Sequence, residues 1–308
     1  MRSSPRLLAR ALPLVIAGGL AVSWLDGQEP PVFTPFTDRS EVSAVLVAVT
    51  VKDSHGAPVA TLKRDKFRLF VDDIEFPIRS FAREAVLPLS LAFVLDISGS
   101  MEGRRLHRAD EVILEFLRQR GRDDEFSLIT FGADEVARRL PFGTDPSLLP
   151  RILESLHGFG TTALYDTLTA TPQIMRGARN PRRAVLLMTD GVDTASKVSP
   201  AEAQNVLEGM QDPLYAFGIE PPPPEPGQET YESLLSRLAE ASGGRYIKVG
   251  DVAELPLLGR ELRRELATRY IITFEPSGVG TVKWRRLRVV VEGPYKVIAR
   301  EGYRGTLP

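Results

Sequence analysis

The sequence predicts an α/β protein: a doubly wound, mostly parallel sheet inserted into a small β-sandwich that the amino- and carboxy-terminal segments build together. Three observations lead there. From Leu87 to about Val249, apolar runs of strand length alternate with amphipathic stretches of helical length, the grammar of a parallel sheet covered on both faces. Before Leu87 and after Arg269 the periodicity is that of strands. Neither flank has enough strands to bury a core alone, so the two are expected to pair.

The elements follow in order. "MRSSPRLLARALPLVIAGGLAVSWLDGQ" carries Arg2, Arg6 and Arg10 ahead of an apolar stretch from Ala11 to about Leu25, the layout of a secretory signal. That stretch is shorter than the roughly 20 residues that span a bilayer comfortably. Residues 1–27 are therefore expected to be a signal peptide, with an uncleaved membrane anchor as the alternative. Either one sends the remainder out of the cytoplasm, secreted or periplasmic, or held at a membrane by that segment.

After the proline-rich "EPPVFTPFTDRS", the amino-terminal β segment (28–86) should hold three short strands and no helix. Val45, Val47, Val49 and Val51 share one face of the first, "DSHGAP" turns the chain, and "KFRLFVDDIEFPIRSF" reads as a hairpin about Asp72-Asp73. Residues 87–262 form the α/β region. "LPLSLAFVLDIS" is a strand buried on both faces. The helix after it places Leu106, Ala109, Ile113, Phe116 and Leu117 on one side. Further strands are "DEFSLITFG", "RRAVLLMTDG", "PLYAFGI" and "RYIKV". Further helices are "PSLLPRILESL", "ALYDTLTATPQIMRGA", "PAEAQNVLEGMQ" and "YESLLSRLAEASGG". A linking helix, "VAELPLLGRELRRELATR", is expected to present a solvated, mixed-charge face. Residues 263–308 return to strands in "YIITFEPSG", "KWRRLRVVVEG" and "YKVIAREGY". Trp284, Leu287, Val289 and Val291 cannot share one face of the second without a bulge.

Composition removes several chemistries. Cysteine is absent, which excludes disulfides, thiolate nucleophiles, iron–sulfur clusters, Cys-type zinc sites and a lipid-modified cysteine. His55, His107 and His157 have no metal-ligand spacing among them. The formal net charge of −1 gives no reason to expect nucleic acid.

One stretch stands apart. "LAFVLDISGSM" ends a buried strand in Asp96 and then places Ser98 and Ser100 at its tip. In an open α/β sheet, ligands bind outside the carboxyl ends of the strands. Asp190 in "LLMTDGVDT" lies past another such end, and between them "GFGTTALYDTL" offers Thr161 and Thr162 before a helix. Oxygen ligands without nitrogen or sulfur suit a hard divalent cation, Mg²⁺ or Mn²⁺.

These residues resemble the metal-ion-dependent adhesion site of von Willebrand factor type A (VWA) domains. The resemblance spans about residues 87–260 and fills all five family positions with Asp96, Ser98, Ser100, Thr162 and Asp190, Thr161 being the fallback for the threonine. It implies the Rossmann-like VWA fold, hydroxyl ligation by the two serines and the threonine, and aspartates binding the ion directly or through water. A protein partner would then complete the coordination with an Asp or Glu carboxylate, and no catalysis is expected. The flanks "VTVKDSHGAPV" and "REGYRG" resemble those of a bacterial VWA subgroup common in acidobacteria.

Other features read more plainly. Asp193 and Thr194 can reach the rim of the site, but capping the next helix suits them better. Asp166 belongs to the first turn of its helix, where a negative charge complements the dipole. Ser98 has no histidine or lysine base in its pattern, and G-x-S-x-G is absent, against a nucleophile. The stiff "GIEPPPPEPGQE" is a surface loop on the carboxyl-end side and a second candidate for ligand contact. The alternative to a metal-dependent binding module is an assembly protein in which the ion only stiffens the fold and binding uses the β-sandwich or the proline loop.

Overall fold

The computed structural model describes residues 44–83, 88–132, 135–224, 226–227, 229–275 and 284–304. The leader, the proline-rich spacer and the end of the segment "YIITFEPSG" lie outside the described residues.

Strand β1 (Val45–Lys52) buries Val47, Val49 and Val51 on one face. The turn after it is built by side-chain hydrogen bonding. The Asp53 carboxylate accepts from the amides of His55 and Ala57, and Gly56 takes a positive φ of 82°. The Val59 amide then returns to the Val51 carbonyl, so "V-x-D-x-x-G-x-P-V" encodes a single closed turn. Strands β2 (Phe67–Val71) and β3 (Ile74–Phe76) form the expected hairpin, with Asp72 and Asp73 both at positive φ.

The pattern predicts three strands here and no helix, whereas the structure has four strands and a 3-10 turn at Arg64–Lys66. The difference arises at Pro77. Proline has no N–H to continue the ladder, so "IEFPIRSF" breaks there and β4 (Ser80–Arg83) joins a different sheet.

The α/β region begins with β5 (Leu89–Asp96), buried along its whole length, and α1 (Arg104–Arg118). There follow β6 (Glu125–Gly132), β7 (Glu135–Leu140), α2 (Leu149–Glu154), α3 (Leu164–Met175), β8 (Arg182–Thr189), α4 (Pro200–Gly209), β9 (Leu214–Ile219), α5 (Tyr231–Ala241), β10 (Arg245–Val249) and α6 (Leu255–Thr268). The six-stranded sheet runs β10-β9-β8-β5-β6-β7, parallel throughout except for β7. One apolar layer joins alternate residues of β5 (Leu89, Leu91, Phe93, Leu95) to α1, α2 and α6. The other joins Ala92 and Val94 to α3, α4 and α5. A sheet covered on both faces explains why its strands read as continuous apolar runs.

Two elements differ from expectation. The antiparallel edge strand β7 carries no apolar alternation because nearly all of it is exposed, so its sequence has no strand signature. The α6 helix is more than a link. Leu255, Leu262 and Leu266 belong to the α/β core, and Gly259 lets α6 approach α1 so closely that a Cβ there would lie 3.0 Å from Glu115. The helix also runs through position 262, where the sequence alone ends the α/β region. Its charged face is not wholly solvated, since Glu265 is buried.

The chain closes with β11 (Tyr270–Phe274), β12 (Trp284–Val291), β13 (Lys296–Ala299) and β14 (Gly302–Arg304). Both chain ends contribute to both sandwich sheets, β13-β1-β11-β4 and β14-β12-β2-β3. Val47, Leu69, Ile272, Phe274 and Leu287 fill the space between them. No bulge is needed in β12, because Leu287, Val289 and Val291 face the core and Trp284, of opposite parity, faces out. Trp284 lies against Gly302, where any Cβ would collide with the indole, and Tyr303 packs edge-on against Phe274. The "GY" pair thus closes the sandwich.

Candidate metal centre

Strand order places the site. The chain leaves β5 for β6 on one side, while from β8 it moves to β9 on the other. The carboxyl ends of β5 and β8 therefore flank the crevice of a topological switch point. Asp96 is the last residue of β5, and Asp190 directly follows β8. Both are fully buried.

Three loops converge, tied by hydrogen bonds. The Asp96 carboxylate accepts from the Ser98 amide through Oδ1 at 2.9 Å and from the Thr189 hydroxyl through Oδ2 at 2.6 Å, which joins the β5 and β8 ends. The Ser98 and Ser100 hydroxyls lie 3.2 Å apart. The Gly99 amide donates to the Gly160 carbonyl and the Phe159 amide to the Ile97 carbonyl, zipping this loop to the one bearing Thr161 and Thr162. Glu102 accepts from the Gly158 amide in the same contact. Thr162 is buried, its amide donates to the Thr194 hydroxyl, and its carbonyl accepts from the amides of Thr194 and Ala195.

The supporting residues have definite roles. Asp193 accepts from the Leu164 amide and the Ser196 hydroxyl, so it caps the start of α3. The helix it serves precedes it in the chain, rather than following it as the sequence suggests. Asp166 does more than complement the dipole of α3, because it accepts from the Lys197 and Val198 amides and staples the loop after β8. Thr161 is exposed beside Thr162. Gly132 ends β6 against the backbone of the Asp96–Ser100 loop, where a Cβ would lie 2.9 Å from the Ile97 carbonyl carbon and the Ser98 nitrogen.

Burial, with a smaller push from the neighbouring charge of Asp190, holds the Asp96 carboxyl up at about 6. The hydrogen bonds from Thr189 and Ser98 pull in the opposite direction. Two buried acids side by side need positive charge. Sequence patterns missed one source of it. Arg105, in the first turn of α1, reaches Asp190 Oδ2 at 3.4 Å and the Ser100 carbonyl at 2.7 Å. Thr189 was also missed as a partner of Asp96, although it sits inside the "TDG" motif.

Residues 91–192 match the model of the von Willebrand factor type A domain family. The chain carries a VWA domain. The matched stretch opens within β5 and closes just past Asp190, so it encloses Asp96, Ser98, Ser100, Thr162 and Asp190. Among curated proteins, the chain is similar to inter-alpha-trypsin inhibitor heavy chain H4 of Sus scrofa, at 26% identity over 240 residues. That alignment covers 72% of this chain and 25% of the relative. Heavy chain H3 of Pongo abelii is 29% identical over 212 residues, covering 63% of this chain and 23% of that one. The chain thus spans about a quarter of the length of the curated relatives it matches. Among solved structures, the von Willebrand factor type A protein from Catenulispora acidiphila aligns with a TM-score of 0.47 at 16% identity, over 78% of this chain and 76% of that one. VWA domains commonly bind protein partners. No described helix of this VWA protein is long and apolar enough to cross a membrane.

Proposed function

We propose that the chain is a non-enzymatic binding module outside the cytoplasm, whose VWA domain holds Mg²⁺, or Mn²⁺, on Asp96, Ser98, Ser100, Thr162 and Asp190 and takes an Asp or Glu carboxylate from a protein partner. The observation that carries this is the convergence of two fully buried carboxylates with Ser98, Ser100 and Thr162, all oxygen donors, on loops bonded to one another. The donor set fits a hard divalent ion. Among the described residues no cluster of three acids or histidines could hold an ion, so hydroxyls are needed to complete any set here.

When bound, such an ion supplies a Lewis-acidic position that a carboxylate can fill. This chain's own residues supply orientation. Thr189 and the Ser98 amide fix both oxygens of Asp96, the Gly99–Gly160 bond fixes the serines against the Thr162 loop, and Asp193 and Asp166 hold the loop after β8. The Ser98 hydroxyl lies 3.2 Å from that of Ser100 and also hydrogen-bonds the Asp96 carboxylate, a cluster of oxygen donors rather than a Ser–His pair, which supports binding over acyl transfer.

The test is thermal unfolding with MgCl₂ and with MnCl₂, beside Asp96→Ala. A ligand at about 100 times its Kd that binds only the folded state adds about 2.7 kcal/mol. A rise in midpoint that Asp96→Ala lacks supports the site. A flat wild-type response at saturating metal rejects it.

A further inference from the structure

The first turn of α1 contradicts helix electrostatics. It holds Arg104 and Arg105 and no acidic residue, although a helix amino terminus already carries partial positive charge. Arg104 has an evident partner, since it pairs with Glu220 at 2.8 Å, where the chain leaves β9 for the proline-rich loop. Arg105 instead turns inward. Its Nη1 lies 3.4 Å from Oδ2 of Asp190 and donates to the Ser100 carbonyl at 2.7 Å, touching two of the five residues assigned to the ion. The Asp190 side chain is fully buried and that of Arg105 is 28% exposed. A partly exposed guanidinium thus pairs with a carboxylate that has no solvent contact of its own.

We infer that Arg105 is a tethered counter-cation that competes with the divalent ion for Asp190 and so sets the affinity of the site and its selectivity for charge. This rests on the divalent-ion reading above. The guanidinium offsets the charge of Asp190, and a cation bound on this site contends with it for that charge. A monovalent ion offers Asp190 no more charge than Arg105 already does, and Arg105 has the advantage of being attached. A divalent ion offers twice the charge and can displace it. The rival explanation is that Arg105 merely orders the serine loop through the Ser100 carbonyl. It predicts the opposite sign, because loss of Arg105 would then weaken metal binding.

The experiment is a titration of the full chain with MgCl₂ alone, at constant ionic strength, read by calorimetry and by thermal unfolding. Arg105→Gln is expected to lower the Kd about tenfold, the scale of removing one competing charge from a partly buried carboxylate. Arg105→Leu keeps the aliphatic stem without the charge, should behave alike, and serves if the glutamine variant folds poorly. Arg105→Lys should stay near wild type. Arg104→Gln removes the same charge one residue away without touching Asp190, and should leave the Kd unchanged. Unchanged or weaker Mg²⁺ binding in both neutral Arg105 variants overturns the inference while leaving the metal site standing. Equal tightening by Arg104→Gln overturns it too, by making the effect one of general charge. If neither the wild type nor any variant responds to Mg²⁺, the metal site itself fails and this inference with it.

Discussion

Asp110, on α1, keeps its Oδ1 buried without a hydrogen-bond partner. Burial raises its carboxyl to about 7, helped by the charge of Glu111. Because the folded-state value lies above the ordinary 3.8, folding favours the protonated acid. Its contribution to stability is therefore complete below about pH 4 and lost as pH rises toward 7. Urea unfolding of Asp110→Asn between pH 4 and 8 should show this decline flattened relative to wild type. Glu265 is the reverse case, a buried acid with every partner in place. Its Oε2 accepts from Arg245 at 3.1 Å and Lys52 at 3.4 Å, and its Oε1 from the Tyr215 hydroxyl at 3.2 Å. Glu265→Gln leaves those cations uncompensated and should cost about 3 kcal/mol in urea unfolding. Of the candidate ligands, Asp96, Ser98, Ser100 and Asp190 were legible as residues because an acid and hydroxyls past a buried strand have no packing purpose. Arg105 was not legible, since a basic residue in a helix looks like a solvated one until its partner is known.

At the scale of elements, the serine loop depends on its neighbours. Gly132 belongs to β6, yet it governs whether the Ile97–Ser98 backbone can lie where it does. Gly132→Ala would drive a methyl group into that backbone and should destabilise the fold by about 1–3 kcal/mol. It should also weaken the Mg²⁺-induced rise in melting temperature more than an equally destabilising change in the β-sandwich. The elements that sequence patterns identified well are those whose burial is uniform along one face. These are β5, β6 and β8, buried throughout, and α1 with its single apolar stripe. Elements that failed are those without a consistent environment. The edge strand β7 is exposed along most of its length, only Leu140 reaching the core, and β4 is cut from its apparent hairpin by Pro77. The α6 helix was placed correctly, but its Glu265 is buried against Tyr215 and Arg245 of neighbouring strands instead of lying on a solvated face.

For the whole molecule, the two ends of the chain are interdependent. β1 pairs with β11 and β13, and β2 with β12, so removing one end strips the other of its ladder. Deleting residues 1–86 would uncover Tyr270, Ile272, Phe274 and Leu287, all buried in the intact chain. That truncation should bind a hydrophobic dye and lose the cooperative unfolding of its carboxy-terminal strands, followed by circular dichroism. The α/β region is tied to the sandwich through Glu265 and Lys52, and through Arg300, which donates to the Met210 carbonyl at the end of α4. Both links are polar and rest on a buried side chain, Glu265 in one and Arg300 in the other, so each is sensitive to single substitutions.

By itself the sequence determined the layered α/β plan, the paired terminal strands, and a set of acidic and hydroxyl side chains at strand ends, because local periodicity and residue chemistry carry that information. The tertiary structure alone decided which strand ends are neighbours. Asp96 and Thr189 are 93 positions apart and meet only because β8 pairs with β5. The same crossing brings Asp190 within reach of Arg105, 85 positions away. The charge balance of the site is a long-range property that no local pattern records.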